Sequence, residues 1–503
     1  MKIILVAINA KYIHSSLAVH SVAAYLTSIG KNVHIQEFTA NHKVDLIVSE
    51  LHEQNPDILA FSCYVWNIDM VLEIADTFKK IRPDIKIIAG GPEVTAADAA
   101  AGDLPGIDAV LIGEGVPLVD IPFPYQSGFE EFKNRIIYYE SSRGCVNNCG
   151  YCLSSTTTGV QFLPLERIKK ELDIFLSAKV PQVKFVDCTF NCDKRHSVAI
   201  WEYLIKNDNN ITNFHFEIAA DLLDDEMITL IEKARQGLFQ FEIGVQSTNP
   251  ATLSAIRRTT DTSKLLKNVT KLKTLGNVHL HLDLIVGLPH ENHDTFIKSF
   301  NDVMAVRPDK LQVGFLKLLK GTDLRKNASK YGIKYTKSAP YEILSNDFLD
   351  YETINKLKKV ENMVDIFYNS GNFASYIKFM MNSFLDPYSL FEALAAHWYK
   401  NGYHLLSHKK TALYTILYEF GIKTESDKVI CELLKYDMLT KENIRTFPDW
   451  IAKYYSYDHK KITRTTATHT FSYDIRAWLD GHKKNLVEFE NSVLFEYNTG
   501  VLT

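Results

Sequence analysis

Apolar residues gather in short runs along the first quarter of the chain, at 2–8, 33–38, 58–65, 86–89 and 109–112, and the stretches between them have helix-like spacing. Strand-like and helix-like segments in alternation predict an α/β domain over 1–125, a doubly wound parallel sheet. Its ligand site is expected beyond the carboxyl ends of the strands. Turn formers Pro117, Pro122, Pro124 and Gly128 then interrupt the pattern, and 126–134 reads as a linker. The alternation resumes over 135–335, with runs at 135–140, 183–190, 213–218, 239–245, 279–286 and 311–319. Six strand–helix units predict a partial (β/α)6 barrel, more open than an eight-unit one, with its working face again at the strand ends. Over 336–503 the pattern becomes mainly helical and aromatic, as a cap or substrate domain would be.

The predicted strand ends carry the chemistry. In the first domain they present Asn9, Lys11 and Tyr12 after the first strand, and Ser62, Tyr64 and Trp66 after the third. Gly90, Gly91 and Glu93 follow the fourth, and Gly113 and Glu114 the fifth. Paired glycines let backbone approach a ligand closely, and a serine at a strand end can bind a polar tail. His14, a lone histidine at a helix start, is expected to be structural.

After the first barrel strand comes Cys145-Val-Asn-Asn-Cys149-Gly-Tyr-Cys152. Purely electron-transferring iron-sulfur clusters use four thiolates, so three on one loop leave one iron open for a reactant. A zinc site would want a fourth cysteine or histidine at zinc spacing. Asp187 follows the second strand as a polar contact, Glu217 ends the third, and Cys188 and Cys192 read as packing residues.

Composition narrows the class. The 503 residues, 46% hydrophobic and 23% charged, are those of a multi-domain globular protein. No apolar run reaches the roughly 20 residues that span a bilayer, and the opening 2–8 run is too short for a signal peptide. A cytoplasmic location is expected, with no membrane span. Seven cysteines, three in one loop, favour metal work in a reducing compartment over a disulfide framework. The net charge of −4 excludes a globally basic nucleic-acid surface. Between 450 and 484, however, Lys453, Lys460, Lys461, Arg464, Arg476, Lys483 and Lys484 interleave with Tyr454, Tyr455, Tyr457, Phe471, Tyr473 and Trp478. Cations beside flat rings suit a flexible RNA strand, though a solvated face over an aromatic core carries the same pattern.

The cysteine loop, with Tyr151 before its last cysteine, resembles the signature of the radical S-adenosylmethionine (SAM) enzymes, and the segment before it resembles the cobalamin-binding domain of one class of them. The C-terminal third, entered through Phe315-Leu-Lys-Leu-Leu-Lys-Gly-Thr322 and containing Tyr368-Asn-Ser-Gly371, resembles an uncharacterised domain attached to such proteins. The resemblance implies one 4Fe-4S cluster on Cys145, Cys149 and Cys152, with SAM on the open iron, and cobalamin in the first domain. It implies that Glu242 or Gln246 holds the SAM hydroxyls, Arg258 the carboxylate, and Ile285 and Gly287 the adenine. The loop after the first strand lacks the Asp-x-His-x-x-Gly motif that ligates cobalt from below, so cobalt without a protein histidine is expected. The activity implied is transfer of a methyl or one-carbon unit from SAM via methylcobalamin to an unactivated atom. A hypermodified tRNA nucleoside is the first candidate substrate, ahead of a lipid, peptide or natural-product intermediate. A non-methylating rearrangement or cyclisation is the alternative, and a flavodoxin or ferredoxin the expected reductant.

Overall fold

The computed structural model describes residues 1–95, 104–126, 128–156, 159–444, 446–455, 463 and 465–497. The chain divides into two compact units, 1–308 with 313–354, and 309–312 with 355–503.

The first unit opens with strands β1 (Ile3–Asn9), β2 (Val33–Thr39), β3 (Ile58–Ser62), β4 (Lys86–Gly90) and β5 (Ala109–Leu111), ordered β2-β1-β3-β4-β5. All four pairings are parallel. Helices α1 (Leu17–Ser28), α2 (Val44–Glu53), α3 (Ile68–Ile81) and the short α4 (Pro92–Thr95) connect them. β1 is buried along its whole length: Ile4, Val6 and Ile8 pack into one core cluster and Ile3, Leu5 and Ala7 into another. An unbroken apolar run is what a central parallel strand covered on both faces requires. Each such side chain contributes roughly 1.5–3 kcal/mol on burial. The strand order reverses between β1 and β3, the switch point beside which a doubly wound sheet binds its ligand. The third strand stops at Ser62 rather than running to 65, because the buried Asn67 amide donates to the Ile8 and Ser62 carbonyls while its oxygen accepts from the Tyr64 N–H.

The chain continues with β6 (Ile137–Tyr139), the small strands β7 (Ser142–Gly144) and β8 (Val160–Phe162), and then β9 (Gln182–Phe185), β10 (Asn213–Ile218), β11 (Phe239–Gln246), β12 (His279–Val286) and β13 (Lys310–Phe315). Six of them form one sheet, ordered β13-β12-β11-β10-β9-β6, the expected partial barrel. The helices between are α5 (Leu165–Ser177), α6 (Lys194–Lys206), α7 (Asp225–Glu232), α8 (Pro250–Ala255), α9 (Thr262–Leu275) and α10 (His293–Ala305). Asp193, Asp224, Asp261 and Asn292 cap α6, α7, α9 and α10 by accepting backbone N–H bonds, which fixes where those helices start. Along β11 burial alternates: Phe239, Phe241, Ile243 and Val245 are buried, and Gln240, Glu242, Gly244 and Gln246 are partly accessible. Trp201 of α6 packs on Phe216 and Phe241, so the apolar face meets the helices and the polar face lines the lumen.

In the second unit, helices α13 (Ala374–Ser383), α14 (Pro387–Lys400), α15 (Lys410–Gly421), α16 (Asp427–Lys441), α17 (Asp449–Ala452) and α18 (Ile475–Leu479) are joined by an antiparallel pair, β16 (Thr466–Tyr473) with β17 (Glu488–Glu496). (Small elements of the chain before them are α11, Asp323–Lys326, the pair β14, Lys334–Tyr335, with β15, Ile343–Ser345, and α12, Tyr351–Met363.) Every residue from Ile430 to Leu439 of α16 is buried, so α16 is the unit's central helix. The hairpin is an addition to the helical expectation.

Candidate active site

β7 and β8 pair antiparallel and close the base of the loop that carries the three cysteines. Gly144, at φ +100°, leaves β7 under the carbonyl of Gly159; a Cβ there would sit 2.2 Å from that oxygen, so only glycine fits. The loop is also pinned mid-way. The Gly150 N–H donates to Ile256 O at 2.9 Å, and the Leu324 N–H donates to Gly150 O at 2.8 Å. The Asn147 N–H points at Cys145 Sγ at 3.3 Å, and Arg258 Nη1 lies 3.8 Å from Cys149 Sγ. All three thiols are free, and Cys149 is buried. Burial pushes the Cys152 thiol up, and Ser154 works against it. Burial also pushes up the hydroxyl of Tyr151, opposed by the nearby Arg258.

The segment after β9 is laced to this loop. Asp187, fully buried, accepts hydrogen bonds from the Ser141 N–H at 3.0 Å, Ser141 Oγ at 2.7 Å and Ser142 Oγ at 2.5 Å. Burial nevertheless raises its carboxyl to about 6. Its three bonds position the start of the cysteine loop, and they explain why the strand expected over 183–190 ends at Phe185. Ser154 Oγ donates to Cys188 Sγ at 3.1 Å, and Thr189 Oγ1 lies 3.7 Å from Cys145 Sγ.

At the end of β11 a register shift between Gly244 and Gln246, with Gln246 at φ +67°, re-aims the chain. Gln246 Oε1 and Arg258 Nε are buried with no hydrogen-bond partner, while Arg258 Nη2 donates to Gly244 O at 2.5 Å. Unpaired buried polar atoms are costly, so two of them beside the thiols fit a polar ligand such as an amino acid carboxylate with hydroxyls. Ile285 faces the same lumen as a half-buried side chain. Gly287 is set differently: it is buried against Ile343 and accepts from Asn346 through its carbonyl.

Below these groups the lumen is charged. Lys184 Nζ lies 2.8 Å from Glu242 Oε2 and 3.4 Å from Glu217 Oε1. His215 Nε2 is 3.0 Å from Glu242, and His281 Nε2 is 3.3 Å from Asp283. Burial would raise the Glu242 carboxyl, but His215 and Lys184 hold it well below the usual carboxylate range. Burial, reinforced by Glu242 and Glu217, pushes Asp283 well above it, and burial also raises Glu217. Lys184, His215, His281 and Asp283 had not been singled out in the sequence. A charged residue at alternate positions of an otherwise apolar strand run is the signal that marks them.

In the first sheet, the exits of β1 and β3 carry exposed apolar surface: Tyr12 at 68% exposure, Ile13 at 46% and Trp66 at 48%. Tyr64 and Trp66 stack with centroids 4.4 Å apart, and Trp66 Nε1 donates to Ile8 O. Gly91, at φ +109°, passes so close to Cys63 that a Cβ would meet its carbonyl at 2.6 Å. A flat aromatic rim at the switch point suits a large planar ligand. Asn9 is buried and donates to Glu37, and Ser62 Oγ reaches Val6 O at 3.5 Å. Glu93 is buried and bonded to Tyr341 Oη and to Lys320 Nζ. Lys11 and Gly113 are exposed, and Glu114 lies 4.0 Å from Arg143 of the cysteine loop. His14 Nδ1 sits 2.6 Å from Tyr138 Oη.

Comparison with known families completes the picture. Residues 3–120 match the B12 binding domain, 139–303 the radical SAM superfamily, and 329–473 a domain described as a protein of unknown function, DUF4080. The chain belongs to the cobalamin-dependent radical SAM enzymes. Such an enzyme uses a 4Fe-4S cluster, SAM and cobalamin. Among similar proteins is the cobalamin-dependent radical SAM methyltransferase TokK of Streptomyces tokunonensis, 23% identical over 407 residues, covering 66% of this chain and 58% of TokK. Another is a tRNA-2-methylthio-N(6)-dimethylallyladenosine synthase of Clostridium botulinum, 26% identical over 296 residues, 56% of this chain and 63% of that one. The chain therefore spans less than two thirds of either relative. The solved structure of the radical SAM methyltransferase TsrM from Kitasatospora setae, with tryptophan and a SAM analogue, shares the fold with a TM-score of 0.54 and 13% identity, over 68% of this chain and 79% of TsrM. Among the described residues no helix of this cobalamin-dependent radical SAM enzyme is long and apolar enough to cross a membrane.

Proposed function

We propose that this enzyme transfers a methyl group from SAM, by way of cobalamin, to an unactivated atom of a polar substrate. The observation that carries the reading is that the thiol loop and the aromatic switch-point rim belong to one compact unit, stitched together by Arg143 to Glu114 and by His14 to Tyr138. When bound, the cluster and SAM supply a radical, and cobalamin supplies the methyl group. The chain's own residues do the positioning. Cys145, Cys149 and Cys152 hold the cluster, with Tyr151 and Arg258 packed against its loop. Arg258 and Gln246 offer their unpaired polar atoms to the SAM carboxylate and hydroxyls, Glu242 stays tied to Lys184, and Ile285 covers the adenine with Gly287 beside it. Asn9, Lys11, Tyr12, Ser62, Tyr64, Trp66, Gly90, Gly91, Glu93, Gly113 and Glu114 line the cobalamin side.

The charged lumen of Lys184, Glu217, His281 and Asp283 favours a substrate with polar or ionic groups over a lipid chain. A tRNA nucleoside keeps the support of the Clostridium relative. Its expected interface is weaker than the sequence suggested: Phe471 and Trp478 are core residues, Lys453 pairs with Asp427 at 2.5 Å and Lys483 with Asp474 at 2.8 Å. Tyr457, Lys460, Lys461 and Arg464 lie outside the described residues. The reductant is a flavodoxin or ferredoxin, and the compartment is the reducing cytoplasm.

Anaerobic reconstitution with cobalamin and methyl-labelled SAM, followed by mass comparison of bulk tRNA and small metabolites from cells with and without the gene, tests the proposal. Label is expected in one product, and only with cobalamin present. Product formation without label transfer would favour the rearrangement reading.

A further inference from the structure

The barrel mouth holds two thiols more than the cluster signature needs. Cys188 and Cys192 are only partly buried. Cys188 is enclosed by the cysteine loop. The residue before it, Asp187, accepts from Ser141 and Ser142; Cys188 itself accepts from Ser154, two residues beyond Cys152; the residue after it, Thr189, lies against Cys145 and accepts from Asn147 Nδ2 at 3.3 Å. Three consecutive residues thus touch the start of the loop, its far end and its first cysteine, and the thiol in the middle is held at the rim of the three-cysteine set. Thr189 keeps this path at φ +92°, a conformation rare for a β-branched residue. Cys192 lacks this enclosure. Its N–H closes a short turn onto Thr189 O at 3.0 Å.

We infer that Cys188 is an exchangeable fourth ligand, whose thiolate closes the cluster's open iron until SAM displaces it. The inference rests on the cluster assignment above. A cluster iron prefers thiolate to water, and a thiol so placed is deprotonated on coordination. On exchange the iron–sulfur bond to Cys188 breaks, and the SAM amino nitrogen and carboxylate oxygen bond the same iron. The proton that the SAM ammonium sheds returns to the Cys188 sulfur, so no electron and no net proton is exchanged with solvent. Ser154, hydrogen-bonded to that sulfur, is in place to hold the released thiol beside the site. Such an arrangement would protect a reduced cluster from oxidants between turnovers.

The test is Mössbauer spectroscopy of the full-length protein reconstituted anaerobically with iron-57, together with SAM titration. Wild type is expected to show four equivalent thiolate-ligated iron sites without SAM and one distinct site with it. Cys188→Ala and Cys188→Ser should show the distinct site before SAM is added, at full iron content, and bind SAM roughly tenfold more tightly, since no ligand has to leave. Cys192→Ser should match wild type. A distinct site in SAM-free wild type, a Cys188→Ala spectrum and SAM affinity identical to wild type, or the effect appearing in Cys192→Ser instead, overturns the inference while leaving the cluster in place. A wild type that takes up no four-iron cluster, or a Cys145→Ala variant that keeps one unchanged, overturns the assignment itself and the inference with it.

Discussion

Arg258 reaches in two directions, to the Gly244 carbonyl and towards the Cys149 sulfur, and still has an unpaired Nε. A charge-assisted hydrogen bond to a ligand carboxylate contributes about 1.5–3 kcal/mol. Arg258→Ala should therefore raise the SAM dissociation constant by roughly ten- to hundredfold, measured by equilibrium titration at unchanged iron content. Glu291 makes a different prediction. Its side chain is fully buried, accepts from Ser247 and Ser299, and has an unpartnered Oε2; burial raises its carboxyl to about 7 from 4.5. The folded state thus binds a proton that the unfolded state has released between these values. Stability from this group is complete below the unfolded value and falls as pH rises through about 7, by on the order of 3 kcal/mol. Glu291→Gln should flatten the fall in melting temperature across that window, and an unchanged slope would assign the titration elsewhere. At this scale the sequence was most legible where residues stand out by type and spacing, as the three cysteines of one loop do. It was least legible where a partner lies far along the chain. Nothing near Asp187 in the sequence announces Ser141 and Ser142, 46 and 45 residues away.

Among the elements, the parallel strands were legible as short apolar or alternating runs, buried throughout at β1 and at every second position of β11, and their ends were misread where a side chain stops the pairing. Asn67 ends β3, and the Asp187 bonds end β9; both are tertiary effects on strands whose apolar pattern continues. The pair β16 and β17 escaped notice because its alternation runs through threonines and charged residues, with burial at Ala467, His469 and Phe471. Turn geometry at strand exits gives a firm prediction. Gly91→Ala places a methyl against the Cys63 carbonyl at an unfavourable φ, a strain of about 1–3 kcal/mol. The variant should lose bound cobalamin, read from its visible spectrum, while retaining the cluster. Simultaneous loss of both chromophores would mean that the substitution unfolds the unit rather than the switch point.

Across the first unit, the sheet domain and the barrel are joined by charge. Arg135 Nη2 lies 2.6 Å from Glu37 Oε2, and both side chains are nearly buried; His20 Nε2 is 2.7 Å from Glu37 Oε1. Burial would raise the Glu37 carboxyl, but its bonds from His20 and Arg135 keep it below the usual range. Removing one partner of a buried pair typically costs about 3–5 kcal/mol. Arg135→Ala should lower the melting temperature clearly, and Arg135→Lys less so. A neutral result would show that this junction contributes little to holding the cofactor domains together. The succession of sheet, barrel and helical patterns was legible along the chain, although its contacts gather into two compact units. The junctions were not, since Arg135 sits in a stretch read as the start of a strand and Glu37 in the middle of another.

The cysteine loop is fixed by the β7 and β8 pairing at its base, by Gly144 beneath Gly159, and by backbone bonds from Gly150 to Ile256 and from Leu324 to Gly150. None of these runs through sulfur. In small zinc domains the metal supplies the folding energy and the empty chain is unfolded. Here backbone contacts hold the loop, so it is expected to form before iron and sulfide enter. A chain lacking all three thiols should accordingly melt cooperatively near the temperature of the metal-free wild type, and a large drop would show that the thiols themselves hold the loop.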